Sequence, residues 1–91
     1  MITISSTFRL VDLTLVQVTV QPTMIHLSTS TPAGRFRKSL IVLYWTGDRW
    51  CEPSKLPPDT QRAWSKILGT RALSDRLRGM MRRADCPDLG R

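Results

Sequence analysis

The period of the apolar residues changes once along this 91-residue chain, and the change dictates what it can fold into. Ahead of Pro53, apolar residues alternate with polar ones or gather in short β-branched runs. Beyond Pro58 they recur every three or four residues. The first pattern belongs to strands, the second to amphipathic helices. Pro53, Pro57 and Pro58 mark the boundary, because proline cannot donate to a sheet ladder yet is tolerated in the first turn of a helix.

Phe8–Val20, FRLVDLTLVQVTV, is expected as one strand. Its apolar set runs Val11, Leu13, Leu15 and then shifts phase to Val16, Val18, Val20, which implies a bulge or burial on both faces. Gln21-Pro22-Thr23 reads as a turn. Met24–Ser28 reads as a second strand, with Ile25 and Leu27 on one face and His26 on the other. After the loop 28–34, Arg35–Trp45 is the third strand, and its uninterrupted apolar run Leu40–Trp45 predicts a central, buried position. Gly47-Asp48 between Trp45 and Trp50 predicts a tight hairpin into a short fourth strand, Arg49–Cys51.

Pro58-Asp59 opens a helix to Leu68, with Ala63, Trp64, Ile67 and Leu68 inward and Gly69 as its stop. Thr70 can cap a second helix that runs to Ala84. Pro87 and Gly90 mark 85–91 as a frayed tail. The expected architecture is therefore α+β: a single domain over 1–91, with an antiparallel sheet of three or four strands (about 2–51) followed by two helices (about 58–68 and 70–84) packed on one face.

Charge divides the chain in the same way. Residues 1–34 carry only Arg9 and Asp12, so the net charge of +7 arises wholly from residues 35–91. Five arginines fall between Arg71 and Arg83. At 100° per residue, Leu73, Leu77, Met80, Met81 and Ala84 share one face, Arg71, Arg78 and Arg82 stand opposite, and Arg76 and Arg83 flank one edge. Guanidinium groups fork onto phosphate and carboxylate and stack on bases. The expectation is a non-catalytic binding module that contacts nucleic-acid phosphates through Arg71, Arg76, Arg78, Arg82 and Arg83, with Arg35, Arg37 and Lys38 as a second patch. Trp45 and Trp50 are candidate stacking residues, placed with Arg35, Arg37, Lys38 and Arg49 on one region of the sheet; the competing role is cross-strand packing around the hairpin. Gly69 between two short helices also permits a helix-turn-helix, with Arg71 and Ser74 near the reading end.

Other partners stay open: an acidic protein on the same basic face, as for an inhibitor, an assembly subunit or a viral or mobile-element accessory factor, or a second copy pairing through the first strand. No metal, cofactor or catalytic residue is expected. Cys51 and Cys86 lack zinc-site spacing, His26 has no nucleophile motif, and GxxxxGK[ST], GxGxxG, GxSxG and HExxH are missing. The N-terminus has no signal-peptide pattern and no apolar run spans a bilayer, so an intracellular setting with reduced thiols is expected.

Overall fold

The computed structural model describes residues 2–89. Five strands form one antiparallel meander in chain order: β1 (Ile4–Arg9), β2 (Leu15–Gln21), β3 (Met24–Thr29), β4 (Leu40–Trp45) and β5 (Trp50–Cys51). Two helices follow, α1 (Pro58–Gly69) and α2 (Arg71–Arg83), both on one face of the sheet. The α+β expectation holds, with one strand more than the sequence shows.

The added strand comes from the phase shift. Leu10–Thr14 is a tight hairpin turn that splits the expected Phe8–Val20 strand in two. The Leu10 N–H donates to Thr14 O and the Leu13 N–H to Leu10 O, both at 2.9 Å, and Asp12 Oδ1 accepts from the Thr14 N–H at 3.0 Å. Leu13 adopts φ 70°, the left-handed region where leucine is rare. Three of the five turn residues are Leu or Val, so hydropathy concealed the turn. Val11 is 85% exposed and Leu13 72%.

Strict alternation builds the core. Phe8, Val16, Val18, Val20, Ile25 and Leu27 face the helices and are fully buried or nearly so. On β4 the register shifts against Ile25 and His26, which leaves Val42 as an extra residue, and Val42 and Leu43 both turn inward. A bulge lets one strand direct consecutive side chains to one face. β4 was expected to be buried on both sides. Instead Ile41 and Tyr44 are exposed on the helix-free face, beside the half-buried His26. That strand also starts at Leu40 and not Arg35; Phe36 joins only an isolated bridge to Ser30.

Against this sheet α1 presents Thr60, Ala63, Trp64 and Ile67, and α2 presents Leu77, Met80 and Met81. Leu68, expected inward, is exposed. Gly69 belongs to the last turn of α1 and does not terminate it with a left-handed residue. Thr70 alone separates the helices. It caps α2 through its backbone, the Ser74 N–H donating to Thr70 O at 2.8 Å, and not through its hydroxyl.

The segment 85–89, expected as a frayed tail, is tied down. Cys86 Sγ donates to Gln21 O at 3.2 Å, Trp50 Nε1–H donates to Pro87 O at 3.1 Å, and Cys86 and Leu89 pack against the core. Gly90 and Arg91, the rest of that expected tail, lie outside the described residues, as does Met1. No helix among the described residues is long and apolar enough to cross a membrane.

Candidate functional site

α2 runs along β1 and β2, with its C-terminal end at the Gln21 end of the sheet. Its inward stripe is fixed by Leu77, Met80, Met81 and Ala84, so the outward ridge is fixed too. Arg71, Arg78 and Arg82 are exposed on that ridge, as their spacing predicts. Asp75 stands among them but forms no ion pair with any described residue. The two salt bridges among the described residues are Arg37–Asp59 at 3.5 Å and Arg62–Asp59 at 3.7 Å. Among the described residues these three exposed arginines form no ion pair, and they stand on a helix anchored by buried side chains.

Arg76 is differently placed. Its guanidinium lies 4.3 Å from the centroid of the Phe8 ring, and Nη2–H donates to Ser6 Oγ and, at 3.1 Å, to Thr7 O. Thr7 is on the edge strand. The Leu10–Thr14 hydrogen bond sets the alternation of the ladder, so Phe8, Ser6 and Ile4 bond toward β2 while Thr7 turns its carbonyl to the free edge. Arg76 therefore covers part of that edge. Pairing of β1 with a second copy requires Arg76 to move aside. Arg83 is exposed on the same flank of α2, in the last turn, where a cation also suits the helix dipole.

Arg35, Arg37 and Lys38 are exposed in the β3–β4 connection, at the Thr29–Leu40 end of the sheet. Arg37 is engaged with Asp59, and its backbone N–H donates to Thr29 O at 2.8 Å. Trp45 and Trp50 lie at the other end of β4, about 20 Å away for a six-residue strand. The grouping of these tryptophans with Arg35, Arg37 and Lys38 is thus not formed; only Arg49, in the hairpin turn, stays beside them. The rings of Trp45 and Trp50 meet edge to face, centroids 5.5 Å apart and planes at 65°, and both are half-buried.

What the structure does bring together is α2 and that hairpin. Arg78, Met81 and Arg82 line one hollow with residues 86–89, and Trp45, Arg49 and Trp50 line a neighbouring one with Asp88 and Leu89. No pattern in the sequence signals this meeting, because it depends on the docked 85–89 segment. Burial pushes the half-buried Cys86 thiol upward, and Asp85 adds to the effect.

The other expectations resolve as follows. Met80 and Met81 are buried in the core, as is Trp64 of α1. Ser74 is half-buried, and the single residue Thr70 separates the helices where a helix-turn-helix carries a turn of three or four. His26 faces Thr19 and Ile41 in register, and its Nδ1 has no partner among the described residues. No cluster of three His, Cys, Asp or Glu side chains that would hold a metal ion occurs among the described residues. No protein-family model, curated protein or solved structure matches the chain.

Proposed function

We propose that this protein is a small intracellular binding module, without catalytic activity, that contacts nucleic-acid phosphates through α2. One observation carries the reading: Arg71, Arg78 and Arg82 stand exposed on a single ridge, unpaired with any carboxylate among the described residues. Free guanidinium groups on a rigid helix release counterions when they neutralise phosphates, at no cost of breaking ion pairs first. Arg83 flanks this ridge. Arg35, Arg37 and Lys38 supply a second phosphate contact at the far end of the sheet. Arg76 serves the fold.

The test is fluorescence anisotropy with a labelled mixed-sequence duplex between 50 and 300 mM salt. Three phosphate contacts give a slope of about −2.7 in log K against log salt, hence roughly a hundredfold weakening over that range. The Arg78→Glu, Arg82→Glu double variant should lose most of both affinity and slope. Absence of wild-type binding at 50 mM salt would overturn the proposal and direct the search to an acidic protein partner.

A further inference from the structure

We infer that the end of the molecule where α2, residues 86–89 and the β4–β5 hairpin meet is a site for single-stranded nucleic acid, taking a phosphate at Arg78 and Arg82 and a base at Trp45 and Trp50. The inference rests on the phosphate reading and narrows it to one substrate class and one place. Two hollows are the starting point. One, of 390 Å³, is lined by Arg78, Arg82 and Met81; the other, of 480 Å³, by Trp45, Trp50 and Arg49. Asp88 and Leu89 line both, so the hollows are adjoining parts of one surface. Each falls in the size range of small-ligand sites.

The chemistry of the two halves is complementary. Arg78 and Arg82 are one helical turn apart, which brings both guanidinium groups within reach of one phosphate. The tryptophans next door are apolar, half-buried and fixed before any ligand arrives. Trp50 is held by its N–H bond to Pro87 O, and Trp45 by the edge-to-face contact with Trp50. An aromatic surface already held in place loses little freedom when a base stacks on it. Arg49 adds a third cation beside the rings, and Asp48 and Asp88 are the acidic members of the same lining. A duplex keeps its base faces stacked inside the helix, so this half of the site can engage only an unpaired strand.

The experiment titrates the full chain with a labelled twelve-residue thymidine strand and with a twelve-base-pair duplex, following anisotropy and indole emission. Trp45→Ala should weaken the single strand about five- to a hundredfold, the span of one lost base stack, and leave the duplex within twofold. Wild-type indole emission should be quenched by the single strand and not by the duplex, with the quench reduced in the variant. Should Trp45→Ala fail to fold, by far-ultraviolet melting, the wild-type quench decides together with Arg49→Ala, which removes an exposed cation beside the rings and should weaken the single strand more than the duplex. Equal losses for both ligands, or an unquenched wild type, would overturn the single-strand site. If the Arg78→Glu, Arg82→Glu variant then still loses the duplex, the phosphate reading survives alone. If the wild type binds neither ligand, both fall.

Discussion

Arg76→Ala separates an arginine that contacts the sheet from those proposed to meet phosphates. In the structure this guanidinium stacks 4.3 Å over Phe8 and donates to Thr7 O and Ser6 Oγ. A cation–π contact at the surface is worth about 0.5–1 kcal/mol, and a hydrogen bond at a partly exposed site about 0.5–1.5 kcal/mol net. The expected loss is therefore about 1.5 kcal/mol, which in a domain of this size lowers the melting temperature by roughly 6–12 °C. Arg76→Lys keeps the charge but not the planar fork, so it should recover only part of that loss. Far-ultraviolet circular dichroism melts measure the shift, and anisotropy at 100 mM salt should show duplex affinity within about threefold of wild type at a temperature where both are folded. The variant also bares the outward carbonyl of Thr7, so light scattering at high concentration should detect self-association that wild type lacks. An unchanged melting temperature with duplex affinity lost would refute the reasoning and return Arg76 to the binding face.

Other expectations follow from particular residues. Leu77→Ala removes a fully buried side chain that seats α2 and should cost about 2–5 kcal/mol in urea unfolding; a loss under 1 kcal/mol would mean α2 is not seated as described. Leu13→Gly relieves a left-handed leucine whose side chain is mostly in solvent, so it should stabilise by about 1 kcal/mol, seen as a higher urea midpoint. The Thr14 N–H, bonded to Asp12 Oδ1, holds the Asp12 carboxyl below the usual carboxylate range. A depressed folded pKa stabilises above the unfolded value and ceases to do so as pH falls through the folded one. The gap in melting temperature between wild type and Asp12→Ala should accordingly be full above about pH 4 and close below it. A constant gap from pH 6 to pH 2.5 would show that the carboxylate charge contributes nothing to the turn.

The sequence carries the two-part plan of this fold because period is a local property. Strand β3, the C-terminal end of β2, the Gly47-Asp48 turn and the proline start of α1 are legible to within a residue or two. The β1–β2 turn was hidden because Leu10, Val11 and Leu13 are apolar residues doing a polar residue's work, with Asp12 alone supplying turn chemistry. The Val42 bulge was hidden because an apolar run has no alternation to break. Among the arginines, helical spacing separated the Arg71–Arg78–Arg82 ridge from Arg76 and Arg83 but could not assign Arg76 to Phe8, a contact across 68 positions of chain. The meeting of α2 with the tryptophan hairpin depends on the docking of residues 85–89, which Pro87, with Gly90 next in sequence, makes read as a loose end.

The unbroken order of the sheet has a consequence for synthesis. Every strand pairs with its neighbour in sequence, so a ribosome releases a meander that can zip as it emerges, each step closing only a short loop. Its apolar face, however, is covered by two helices that are translated after it. From Cys51 to Ala84 is 33 residues, about 2–7 s of elongation at ordinary rates. During that interval Phe8, Val18, Ile25 and Val42 form an open greasy slab. A stall in translation between Glu52 and Gly69 would hold the chain in its stickiest state, and the nascent chain should then be most in need of a chaperone.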